Sequence, residues 1–301
     1  FADQTYPMKK YFFYILFPIL LLACQEANKK EGAGQKAVLT VTIEPQRFFL
    51  EQIVGNAFAI NTLVPPGASP ETYEPAPSVM VEMGNSRLYF MVGNLGFEQV
   101  WSERLSINNP HMTIVNCSEG IDRLGDEDHT GQAHDHVHGD VDPHVWSSPG
   151  AVKIMAGNML EAVVKVDPEN EERYRSNFAR FTLKINETDS LIQEKLSHAI
   201  SRSFIIYHPA LAYFADEYNL HQHSVEFQGK NPSPAQMKAL VDLARKEQIR
   251  TLFIQKGFDK KNMEVIARET GAEVFEIDPL NYEWDKELLR MADILSRDAN
   301  E

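Results

Sequence analysis

Apolar residues along this 301-residue chain alternate between two rhythms. Short β-branched and aromatic runs read as strands, and segments whose apolar positions recur every three or four residues read as helices. The first strand spans 38–43. A helix follows over 45–54, with Phe48, Phe49, Gln52 and Ile53 at helical spacing and Gly55 closing it. A second strand, 59–64, runs into a loop stiffened by Pro65, Pro66, Pro70 and Pro75. Helices over 78–84 and 97–105 then alternate with strands over 88–92 and 112–117. The order β-α-β-α-β-α-β predicts a parallel sheet with helices on its faces.

Past a helix at 149–166 the rhythm stays helical for much longer. Tyr174, Phe178, Phe181, Ile185, Ile192 and Leu196 recur at threes, fours and one seven. They form one apolar stripe on a helix of about 30 residues, roughly 45 Å long. Such a helix exceeds what a single domain needs and reads as a rigid strut between two lobes. The grammar then repeats. Strands are expected at 204–208, 220–227, 251–255 and 274–278, and helices at 210–218, 234–248, 260–270 and 284–299. Ser233 with Pro234, and Asp259, supply helix starts, and Gly271 a helix stop. The fold class is therefore α/β. Two Rossmann-like lobes are expected, each a parallel sheet flanked by helices, joined by one long rigid helix. The lobes are placed at 37–167 and 199–301, with the helix at 168–198.

The N-terminus breaks this pattern. Lys9 and Lys10 precede an apolar run from Tyr11 to Ala23 that meets Cys24. The run is shorter than the roughly 20 residues a membrane-spanning helix needs, so 8–24 reads as a signal peptide. Leu21-Leu22-Ala23-Cys24 resembles a bacterial lipobox, which implies lipidation of Cys24 and a mature protein anchored to a membrane outside the cytoplasm. Residues 1–7 are set aside as upstream of the natural start, and 25–36 reads as a flexible tether. Cys117, the other cysteine, then has no partner and is expected to be a small buried core residue. The formal charge of −14 argues against a nucleic-acid partner and suits a protein that meets cations.

Chemistry concentrates just after the fourth strand. Five of the ten histidines, His129, His134, His136, His138 and His144, lie there, with Asp128, Asp135, Asp140 and Asp142 among them. His-rich tracts are a compositional sign of metal handling. Residues 126–140 lack apolar periodicity and read as a collecting loop. In Asp142-Pro143-His144, by contrast, the proline restricts the backbone and presents His144 as a fixed ligand. Two further groups end strands in the second lobe, His208 and Asp278. Glu71 sits in the proline-rich loop after the second strand. In open α/β sheets ligands gather at the carboxyl ends of strands, so these four side chains can meet in one cleft. His221 and His223 share a strand face and read as surface groups. His111 and His198 carry no signal, and Tyr73, Trp146 and Tyr207 are expected to wall the pocket.

Four blocks in order carry a resemblance to a known family. They are Ser69-Pro70-Glu71-Thr72-Tyr73-Glu74-Pro75, Asp142-Pro143-His144-Val145-Trp146, Tyr207-His208-Pro209-Ala210-Leu211-Ala212-Tyr213-Phe214, and Gly271-Ala272 through Asp278-Pro279-Leu280. Together they resemble the substrate-binding proteins of bacterial metal-ion ABC transporters, the zinc and manganese cluster. The resemblance implies a monomeric, non-enzymatic carrier whose partners are a membrane permease and its ATPase. It implies His144, His208 and Asp278 as metal ligands. Glu71 stands where that family normally has histidine, which makes the set harder and admits Mn²⁺ or Fe²⁺. His208 stands where the manganese members usually carry glutamate, and the histidine-rich loop resembles that of the zinc members. Both point to Zn²⁺ as cargo. The same fold class has been linked to surface adhesion. A zinc hydrolase would need an open water position and a general base, and no H-E-x-x-H helix or nucleophile elbow occurs.

Overall fold

The computed structural model describes residues 1–2, 36–125, 141–226 and 230–297. The chain falls into two units, Phe1–Lys36 and Ala37–Glu301, and the second holds the described sheets and helices. Cys24, the expected signal peptide, and loop residues His129, His134, His136 and His138 lie outside the described residues. Among the described residues no helix is long and apolar enough to cross a membrane.

The second unit holds two four-stranded parallel sheets. The first contains β1 (Val38–Val41), β2 (Ala59–Thr62), β3 (Ser86–Met91) and β4 (Thr113–Asn116), in the order β2-β1-β3-β4. The second contains β5 (Ser203–Ile206), β6 (His221–Ser224), β7 (Thr251–Gln255) and β8 (Glu273–Ile277), in the order β6-β5-β7-β8. The two orders are the same. Both lobes therefore change winding direction beside their first strand, where α/β sheets open a crevice at the strands' carboxyl ends. The helices are α1 (Glu44–Val54), α2 (Pro77–Met83), α3 (Gly96–Asn108), α4 (Pro149–Val166), α5 (Glu171–Ser197), α6 (Ala212–Glu217), α7 (Pro234–Lys246), α8 (Lys261–Thr270) and α9 (Trp284–Arg297). Most expected elements appear, with ends shifted by a few residues.

Period-two alternation explains how the second sheet is covered. Phe204, Ile206, Phe253 and Ile277 face the large core shared with the first lobe. Ile205, Leu252 and Ile254 point the other way, onto Val241 and Ala244 of α7 and Met263 and Ile266 of α8. Local signals set the helix ends. Ser148 accepts from the backbone of Ala151 at 3.0 Å ahead of α4. Ser233 and Gln236 form a capping box for α7, and Gly271 closes α8 at φ +78°.

The long helix α5 has 27 residues, and Pro168 opens a short 3₁₀ turn before it rather than the helix itself. Its buried stripe is Tyr174, Phe181, Ile185, Thr188, Ile192 and Leu196. Thr188 fills the seven-residue gap in the apolar pattern, and its hydroxyl donates to the Lys184 carbonyl at 3.0 Å. The stripe packs against α1 and α4 from the first lobe and α9 from the second. Lys184–Asp285 at 2.8 Å and Lys195–Asp293 at 2.6 Å add ties to α9. The helix is thus a core element of both lobes as well as a connector.

Two tryptophans hold the lobes in register. Trp146 Nε1 donates to the Pro279 carbonyl at 2.9 Å, and Trp284 Nε1 donates to the Trp146 carbonyl at 2.6 Å. Trp284 also meets Phe49 edge-on at 5.3 Å. Trp284→Ala removes this buried ring and leaves the Trp146 carbonyl without its donor. The expected loss is about 3–5 kcal/mol, read by denaturant unfolding of the zinc-free protein. Wild-type stability in that variant would contradict the assignment.

Candidate metal centre

The second sheet delivers polar residues from the carboxyl ends of all four of its strands. His208 follows β5, Glu226 follows β6, Gln255 ends β7, and Asp278 follows β8. The first lobe supplies Glu71 from the loop beyond β2, and His144 from the segment just before α4. Three of these groups meet. His144 Nε2 lies 3.3 Å from Glu71 Oε1, His208 Nε2 lies 3.1 Å from the same oxygen, and the two Nε2 atoms are 3.4 Å apart. Among the described residues this is the group of histidine, cysteine and acidic side chains arranged to hold a metal ion.

The spacing fits a cation. A tetrahedral site with arms of about 2.0–2.1 Å has donor–donor edges of roughly 3.3–3.4 Å. An octahedron of the same arm length would need edges of about 2.9 Å. The three separations, 3.1–3.4 Å, lie close to one face of such a tetrahedron.

Each imidazole is aimed by its surroundings. Asp142 Oδ1 accepts from the His144 backbone at 2.7 Å and lies 3.0 Å from its Nδ1. Trp146 packs on the His144 ring at 5.2 Å. Gln255 brackets the His208 backbone, donating to its carbonyl at 2.6 Å and accepting from its N–H at 3.3 Å. Phe258 lies parallel to the His208 ring, with centroids 6.1 Å apart and 9° between planes. Glu226 Oε2 lies 2.9 Å from His208 Nδ1. Tyr207 packs on Phe258 and its hydroxyl donates to Asn231 at 2.8 Å. Tyr73 meets Phe97 edge-on at 6.0 Å.

Asp278 does not join the trio. Its Oδ1 accepts from Leu280 N at 3.2 Å, and its own N–H donates to Glu287 at 2.8 Å. This turn holds the carboxylate back at the end of β8. Burial, with the nearby Glu287, raises its pKa against the opposing pull of the Leu280 N–H, Lys256 and Arg290. His223 pairs with Glu247 at 3.2 Å and His221 is exposed, away from the centre. Cys117 is fully buried, and burial pushes its thiol pKa well up.

Accessibility differs within the trio. The side chains of His144 and His208 are 5% and 16% exposed, and that of Glu71 is 33% exposed. Burial works against a charged His208, but its hydrogen bonds to Glu226 and Glu71 prevail and bring its pKa up to about 9. Burial likewise opposes ionisation of Glu71, and the bond from His208 with the charge of both imidazoles holds its pKa below the ordinary value. Without a metal, the proton on His208 fills the cation's place.

A model of one family, the zinc-uptake complex component A, periplasmic (ZnuA), matches residues 39–292. The chain belongs to that family. The ZnuA assignment is supported by relatives of similar length. The chain is 28% identical over 265 residues to the high-affinity zinc uptake system protein ZnuA of Bacillus subtilis, covering 84% of this chain and 82% of that protein. It is 26% identical over 271 residues to a manganese ABC transporter substrate-binding lipoprotein, PsaA, of Streptococcus anginosus, covering 85% and 84%. It matches the zinc-binding lipoprotein AdcA of Streptococcus pneumoniae at 24% identity over 88% of this chain, but spans only 54% of that protein's length. A crystal structure of ZnuA superposes with a TM-score of 0.80 at 34% identity, over 88% of this chain and all of the other.

The charge on His208 generates a pH dependence. Its pKa is raised from 6.5 to about 9, so a cation captured at neutral pH must expel a proton. Zinc affinity should rise with pH, by up to about tenfold per unit for one proton, and level off above about pH 9. Calorimetry in buffers of different ionisation enthalpy reads the released proton. In the metal-free protein the same group contributes stability in full below about pH 6.5 and loses it as pH passes about 9. An affinity flat between pH 6 and 9 would contradict this origin.

Proposed function

We propose that this protein captures zinc outside the cytoplasm and delivers it to the permease of an ABC transporter, whose ATPase drives uptake. The observation that carries the reading is the triangle of Glu71, His144 and His208 at 3.1–3.4 Å, drawn from both lobes. Two imidazoles with one carboxylate suit zinc. Family membership supports the same cargo. We assign Glu71, His144 and His208 as ligands from the free protein onward. Asp278 is the fourth ligand, recruited on loading, because a cation would compensate a half-buried carboxylate whose ionisation is now opposed. Manganese or iron is the competing cargo. The specific observation in its favour is Glu71, an oxygen donor with no imidazole in its place.

Capture needs no chemical step. Zinc displaces the His208 proton, and the oppositely placed donors close on the ion. The shared core and the α5 strut keep the accompanying lobe movement small. A lipid on Cys24 would hold the protein at the membrane surface near its permease, with 25–36 as tether. The histidines of 126–140 serve as an auxiliary zinc collector, and the carrier acts as a monomer.

Elemental analysis of protein purified from its own host without chelator tests the cargo, and zinc in preference to manganese and iron is expected. In competition titrations, His144→Ala and His208→Ala should each lower zinc affinity beyond the roughly 100-fold typical of an outer-sphere change. Glu71→Ala and Asp278→Ala should cost less, since water can take an oxygen donor's place. Deleting 128–140 should lower the total zinc bound and leave the main centre's affinity nearly unchanged. Manganese in the native protein, or full zinc affinity in either histidine variant, would overturn the reading.

A further inference from the structure

The two imidazoles of the metal centre are oriented by different means. His144 is served by its own turn, in which Asp142, two residues earlier, accepts from backbone and ring together. His208 has no such neighbour, since Ile206 stands two residues earlier. Its Nδ1 is met instead by Glu226 Oε2 at 2.9 Å, from just beyond the carboxyl end of the adjacent strand. We propose that Glu226 is a positioning residue for metal capture, which accepts a hydrogen bond from His208 Nδ1 and so directs the Nε2 lone pair at the cation. This inference rests on the assignment of Glu71, His144 and His208 as the metal site.

Three features of the fold carry it. First, Glu226 is tied to the strand it serves. Val225 N donates to Ile206 O at 2.9 Å and Glu226 N donates to Tyr207 O at 2.9 Å. The β5–β6 pairing thus continues beyond β6, and the carboxylate is built onto the residue beside His208. Second, its side chain is 14% exposed. A carboxylate so enclosed is unfavourable without a donor, and the imidazole N–H is that donor. Third, the other freedoms of His208 are already restrained. Gln255 brackets its backbone and Phe258 covers one ring face. What remains is which ring nitrogen faces the cavity, and the Glu226 oxygen decides it.

The chemistry follows from the proton count. A neutral imidazole has one N–H and one lone pair. An acceptor at Nδ1 places the hydrogen there and leaves Nε2 to bind metal, and the acceptor also strengthens that nitrogen as a ligand. Asp142 supplies the same arrangement on His144. The lobes therefore reach one carboxylate–imidazole–cation geometry by two routes, a local turn and a contact across strand ends.

The test uses the full chain with ¹⁵N-labelled histidine, zinc titration, and long-range ¹H–¹⁵N spectra of the zinc-loaded form. Wild type should bind zinc tightly, with the metal on Nε2 of His208 and a hydrogen-bonded, exchange-protected Nδ1–H. A wild type that binds no zinc would remove the metal assignment itself, a failure distinct from those below. Glu226→Ala should lower affinity about 10–100-fold and lose the protected Nδ1–H and the single ring orientation. Glu226→Leu fills the space without an acceptor and should behave alike, which covers the case where the alanine variant does not fold. Glu226→Gln keeps an acceptor oxygen and should restore the ring signature and part of the affinity. Wild-type affinity in the alanine or leucine variant, an unchanged His208 ring signature there, or no recovery with glutamine would each overturn the proposal.

Discussion

Three donor atoms from three separate loops stand 3.1–3.4 Å apart, with no chain continuity to hold them there. This convergence is the constraint on which the rest of the structure depends. Two imidazole nitrogens and a carboxylate oxygen approach so closely when a hydrogen-bonding proton or a metal ion lies between them. The fold must then keep the loops from separating when that charge is absent. It does so with a core continuous between the sheets and with the paired tryptophan bonds of Trp146 and Trp284. The α5 helix belongs to that core, so the lobes share their stability as well as their cleft.

The electrostatic design is layered. Glu71, Asp142 and Glu226 surround two imidazoles, a set that favours net positive charge at its centre. In the metal-free protein the proton on His208 supplies part of it. A divalent cation supplies more charge in the same place, and the proton leaves. The outer carboxylates are the reason this exchange need not reorient the rings, since each imidazole already presents Nε2. At longer range the formal charge of −14 raises the local concentration of cations.

Much of this was legible in the residues alone. Apolar rhythm and turn residues located both sheets and the long helix because parallel strands and packed helices impose strict spacing. Asp142-Pro143-His144, where proline constrains the backbone, and His208 at a strand end marked the two imidazoles that the fold brings to Glu71. Glu226 and Gln255 were missed for the opposite reason. A lone glutamate or glutamine after a strand looks like any surface residue until the neighbouring strand is known, and only the β6-β5-β7 order brings both to His208. Asp278 was expected as a ligand from its place at a strand end; in this structure it stands outside the trio, bonded to Leu280 and Glu287. Thr188 shows a similar limit, a polar residue in an apolar stripe that its bond to the preceding turn makes tolerable.

On the proposed function, one cation sits between the lobes, held by both imidazoles and by Glu71. Anomalous diffraction at the zinc absorption edge from crystals of the zinc-loaded protein tests it most directly. One strong peak is expected at about 2.0–2.2 Å from His144 Nε2, His208 Nε2 and a Glu71 oxygen together. A main zinc peak that contacts only one of the two imidazoles, or that binds through Nδ1 of either, would contradict it.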